Sequence, residues 1–101
     1  MTLDEVLDDA ATVEGVPGAR ADDGSEQWSG TTGPFAILSA DGRTAEFRLD
    51  PVLADAARRT PDATGSDRGG DWVSFTPLVV DDHAIDRATA WFHAAARRSA
   101  G

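Results

Sequence analysis

Apolar positions near the start of the chain recur at helical spacing. Leu3, Val6, Leu7, Ala10 and Ala11 stand at i, i+3, i+4, i+7 and i+8, which makes one stripe on a helix. Thr2 and Glu5 have the spacing of a capping box, and Gly15 with Pro17 marks the stop. Residues 17–33 are polar and glycine-rich, and they predict mostly loop, with a short strand near Glu26–Ser29 carrying Trp28. The stretch "PFAILSADGRTAEFRL" then reads as two strands around Asp41-Gly42, a dipeptide suited to the centre of a type I′ hairpin turn. Phe35, Ile37 and Leu38 predict a deeply buried first strand. On the second, Ala45, Phe47 and Leu49 alternate with Thr44, Glu46 and Arg48, the pattern of a half-wet sheet face.

Asp50 and Pro51 open a second helix as cap and first residue. Its predicted stripe is Val52, Leu53, Ala56 and Ala57; Arg58 and Arg59 sit at its negative end, and Pro61 closes it. The turn-rich "DATGSDRGG" feeds the strand "DWVSFTP", where Trp72, Ser74 and Thr76 alternate with Val73 and Phe75. A last helix begins at Asp81 or Asp82. Its stripe is Ile85, Ala88, Phe92 and Ala95, flanked by Trp91, and Arg97 and Arg98 lie in its last turn. Hairpins rather than crossovers join the strands. The prediction is a single domain over residues 1–101 of α+β class: a two-layer sandwich with an antiparallel sheet of four to five strands and three helices.

Composition adds exclusions. Hydrophobic residues make up 41% of the 101 and charged residues 27%, which is globular rather than disordered. The chain has no cysteine, hence no thiolate ligand, thiol nucleophile or disulfide framework. No apolar run approaches the roughly 20 residues of a membrane span, and the acidic opening lacks the features of a signal peptide, so a cytoplasmic protein with no membrane partner is expected. The net charge of −9 is concentrated. Residues 1–26 hold eight acids against Arg20 alone, a charge of −7, and the other 75 residues carry only −2. Such a block is either a solvated face or a docking surface for a basic partner.

Candidate chemistry is sparse. His83 and His93 are ten residues apart on one predicted helix, too far along its axis to serve one substrate. No G-x-S-x-G elbow is present. Asp82, His83 and Asp86 gather on one helical turn, but a metal site needs a further ligand from elsewhere. "GSDRGG" lacks the G-K-[ST] ending of a phosphate loop and leads into a strand, so it reads as a turn. The expectation is a non-catalytic chain with no catalytic residue, no metal site and no small-molecule cofactor. Trp28, Trp72 and Trp91 read as core, Trp28 with the weakest signal.

Several segments together resemble a family. "PGA" after the first helix, a tryptophan about ten residues on, "PFAILS", "EFRLDP" with "LADAAR", "DWVSF" and "DRATAWFHAAAR" are similar to the MmcQ/YjbR family of small bacterial proteins, across residues 3–98. Arg48 stands where that pattern leads one to expect lysine. The resemblance implies a secretion-chaperone-like α-β3-α-β2-α fold, and with it a weak extra strand near Ala63–Asp67 pairing with Trp72–Thr76. It implies no catalytic residues. It also implies DNA binding, a role given to the family on grounds of fold, and here Arg43, Arg48, Arg58, Arg59 and Arg68, with Arg97 and Arg98, would face the nucleic acid. The acidic composition weighs against DNA, and the alternative is a protein partner met by the N-terminal helix or the exposed sheet face.

Overall fold

The computed structural model describes residues 1–100. Helix α1 (Leu3–Glu14) begins as its sequence dictates: the Thr2 hydroxyl accepts from the Glu5 amide, and the Glu5 side chain returns to the Thr2 amide. Its five stripe residues, Leu3, Val6, Leu7, Ala10 and Ala11, are buried, and Gly15 ends it in the left-handed conformation. Then come β1 (Gly18–Arg20), β2 (Glu26–Gly30), β3 (Gly33–Leu38) and β4 (Ala45–Arg48). Helix α2 (Pro51–Arg58) separates these from β5 (Ala63–Ser66) and β6 (Gly69–Phe75), and α3 (Asp82–Ala100) closes the fold.

The six strands form one antiparallel sheet in the order β1-β2-β3-β4-β6-β5. This is α+β with three helices, but the sheet exceeds the expected four to five strands. The addition is β1, three exposed residues on the sheet edge, which bury no apolar side chain and so leave no hydrophobic pattern. β5 pairs with β6, Ala63 opposite Phe75, where a weak extra strand near Ala63–Asp67 was expected.

Two local predictions need correction. The β3–β4 connection is not a type I′ turn. Asp41 does not adopt positive φ; only Gly42 does, at 74°, and the Ser39 amide bonds the Thr44 carbonyl around a four-residue loop. Asp41 instead accepts from the Ser39 hydroxyl and the Arg43 amide, stabilising the loop through its side chain. On α2 the buried residues are Ala54 and Ala57, while Val52 is 81% exposed. The small alanines let the short helix lie close on β6 and β5.

Helix α3 crosses β2, β3 and β4, and α1 packs on α3. Phe92 sits at the centre, edge-on to Trp28 and Phe35 with ring centroids 5.5 and 5.3 Å away. Trp28 is 1% exposed, so the tryptophan with the weakest signal lies in the core. A bulge explains how Phe35 joins it. Trp28 pairs with Ala36 and Ser29 with Pro34, which leaves Phe35 as the extra residue on β3, turned inward beside Ala36. Trp91 packs edge-on to Phe75 and Phe47. No described helix is long and apolar enough to cross a membrane.

Candidate functional site

The seven arginines nominated from sequence divide into a cluster of four, Arg48, Arg58, Arg68 and Arg98, and three outliers, Arg43, Arg59 and the exposed Arg97. The start of β6 collects the cluster. "GSDRGG" is a hairpin turn, with Ser66 paired to Gly69 across Asp67 and Arg68. Arg68 folds back over the outer sheet face, 5.8 Å above the Trp72 ring, and its Nε donates to Glu46 at 3.0 Å. Glu46 also accepts from the Ser66 hydroxyl. Arg58, at the end of α2, donates to the Gly70 carbonyl. Asp71 accepts from Arg48 Nε at 3.0 Å and from Arg98 Nη1 at 3.2 Å. Arg59 pairs one turn back with Asp55 on exposed helix surface. Arg43 lies in the β3–β4 loop and makes no ion pair among the described residues.

Thus Arg48 and Arg98 meet at Asp71, Arg58 at the neighbouring Gly70 carbonyl and Arg68 at Glu46, four positive charges held by two carboxylates and one carbonyl. Each of the four guanidiniums has an acceptor. The bonds to Asp71, with Arg48 the largest influence, hold its carboxyl below the usual range. The same end is fastened by Ser99, 4% exposed, whose hydroxyl shares a hydrogen bond with Thr32. Sequence periodicity could not show this convergence, because its members lie on separate elements joined only by the fold.

The opposite electrostatic situation holds on α1. Asp4, Asp8 and Glu26 bring carboxylate oxygens within 4.8 Å of one another. Partial loss of hydration raises the Glu26 pKa above its ordinary value, and Asp8 and Asp4 add to the rise. Asp8 is raised in the same way, with Asp4 and Asp9 contributing. The cation beside them is Arg20, 3.9 Å from Glu26. Oxygen donors of this kind suit a hard cation, but Asp4 and Asp8 are open to solvent and Arg20 already supplies a positive charge. Glu26 arrives from β2, too far along the chain for the helical spacing of Asp4 and Asp8 to announce it.

The histidines stay apart. His83 is exposed beside Arg87 and Pro61, and no described group of three metal-type ligands includes it, Asp82 or Asp86. His93 Nδ1 lies 2.5 Å from Glu14 Oε2 and ties α3 to α1. Next to this tie is a shallow apolar groove of about 150 Å³ between the two helices, lined by Met1, Val6, Ala10, Val13 and Ile85 among others. Val13 is 77% exposed and Met1 60%. Val13 lies outside the buried face of α1, so the apolar stripe does not include it.

No protein-family model matches the chain, and no curated protein matches it. A solved structure of a structural-genomics target from Pseudomonas syringae is similar in fold, with a TM-score of 0.70 over 98% of this chain and 99% of that one. The two sequences are 11% identical, so the likeness is one of architecture.

Proposed function

We propose that the chain is a non-catalytic binding module that meets a protein partner through the acidic outer face of α1. The observation that carries this reading is the contrast in charge pairing. On α1, Asp4, Asp8 and Asp9 are exposed and make no ion pair among the described residues, whereas the converging arginines are each held by an acceptor. Spare charge is what a partner can use, because a guanidinium already bonded must first give up its acceptor. Kinship with MmcQ/YjbR proteins belongs to the same reading. Its support is the motif set "PFAILS", "DWVSF" and "DRATAWFHAAAR", together with the helix–sheet–helix–hairpin–helix order.

Duplex DNA at the arginine end is the second reading, favoured by the meeting of Arg48, Arg58, Arg68 and Arg98. One pair of measurements separates the two. A partner captured by the chain, then identified and purified, loses roughly tenfold in affinity when Asp4, Asp8 and Asp9 are all changed to Asn. Unchanged affinity would refute the acidic-face reading. Duplex DNA is titrated in parallel at about 50 mM salt, where a basic site binds with a negative salt slope. Binding of that kind, lost in Arg48→Gln with Arg68→Gln, would put the DNA reading first.

A further inference from the structure

The groove between α1 and α3 combines two properties. Its floor is apolar, and its rim is acidic. Met1, Val6, Ala10 and Val13 supply one wall, and Ile85 and Thr89 the other. Asp9 lines it directly. Glu5 stands one turn before Asp9 on α1, and Asp82 and Asp86 stand one turn before Ile85 and Thr89 on α3; all three are exposed. Glu14 closes the far end through His93. An exposed valine and methionine in a face otherwise given to acids is costly in water, at roughly 25 cal/mol for each Å² of apolar surface left uncovered.

We infer that this groove is the docking site for a basic amphipathic helix of another protein. The inference rests on the reading of α1 as the working face, and it specifies that partner's chemistry. Charge complementarity selects the occupant. A second copy meeting this face with its own would set Glu5, Asp9, Asp82 and Asp86 against their counterparts, so symmetric self-association through the groove is opposed. A helix with Leu, Ile or Met on one stripe and Lys or Arg beside it meets both demands. One large apolar side chain fits the depression between Val6, Val13 and Ile85, and flanking cations reach Glu5, Asp9, Asp82 and Asp86. The apolar anchor fixes register, and the acids raise the association rate.

The test uses a synthetic helix of about 18 residues, five turns, with leucines on one stripe and lysines elsewhere. A scrambled peptide of identical composition serves as the control. Binding is measured by calorimetry, and the contact surface by backbone amide shifts. The amphipathic peptide is expected to bind roughly tenfold more tightly than the scrambled one, with shifts at Val6, Asp9, Val13, Ile85 and Thr89. Val13→Gln, at an exposed position, leaves thermal unfolding unchanged and removes most of that preference. Equal affinity for both peptides, with shifts spread over the α1 acids, would overturn the groove while leaving the acidic-face function standing. Failure of both peptides to bind would overturn both.

Discussion

The two charged regions of this molecule are built from the same side-chain types, yet they behave oppositely. At the start of β6, arginines from β4, α2, the β5–β6 turn and α3 close on Asp71, Glu46 and the Gly70 carbonyl. There the Asp71 carboxyl is held low by its partners. Along α1, acids face acids, and Asp8 and Glu26 are pushed upward by lost hydration and by neighbouring carboxylates. A net charge of −9 describes neither region. One has committed its charge to structure. The other holds charge in reserve, and reserve is what binding draws on.

Loosening the arginine end from below is the most disruptive change. Gly30 lies against Ser99: a Cβ there would come within 2.8 Å of the Ser99 Cβ. Ser99 and Arg98 share the last turn of α3. Gly30→Ala therefore pushes that turn off the sheet and draws Arg98 away from Asp71. A loss of about 1–3 kcal/mol is expected from overpacking, read by denaturant unfolding. An unchanged midpoint would show that α3 yields freely and that the arginine end is not anchored there.

Asp71→Asn attacks the same region through charge. It leaves Arg48 and Arg98 without their shared carboxylate. Both arginine side chains are 36% exposed, so solvent compensates much of the loss and the expected cost is about 1 kcal/mol. The substitution also frees two guanidiniums. Duplex DNA affinity at low salt should rise in this variant relative to the parent; no rise would mean that the cluster is not shaped for phosphates.

How much of this was legible beforehand depends on distance along the chain. The α1 capping box, the Asp50-Pro51 opening of α2 and the alternation at Ala45–Leu49 are local, and each formed as its sequence reads. Strand β1 was not legible, because an exposed edge of three residues needs only a neighbour's backbone, not a pattern. Trp28 gave a weak signal for a related reason: its glycine-rich flanks look like loop, but the burying surface comes from Phe92, 64 positions away. The candidate site followed the same rule. The acids of α1 were readable as a block, whereas Glu26 beside them and Asp71 beneath the arginines became visible only in the folded chain.

A smaller effect sharpens the acid side. Asp4 and Asp8 are one helical turn apart and carry like charge. Removing one of them with Asp8→Asn relieves a repulsion worth about 0.3 kcal/mol. Unfolding temperature should rise by roughly 1–2 °C. A fall instead would mean that Asp8 has a cationic neighbour stronger than Arg20.

The sign of the pH dependence separates the two regions without any change of fold. Asp8 and Glu26 have folded pKa values above their ordinary ones. Between the ordinary and raised values the folded chain holds more protons than the unfolded chain, so these two groups make it less stable as pH rises through that window. Their penalty is complete above the raised values and absent below the ordinary ones. Asp71 is shifted the other way, so its stabilisation is present above its ordinary pKa and is lost as pH falls through the lowered folded value. Asp8→Asn removes its own penalty and also part of what raises Glu26. The advantage of this variant over the parent should therefore be greatest near neutrality and shrink as pH falls through roughly 5 to 3. Unfolding temperatures of both proteins, taken across that range, test it. A difference that stays constant with pH would show that the acids of α1 are already separated by solvent, and the contrast with the arginine end would lose its physical basis.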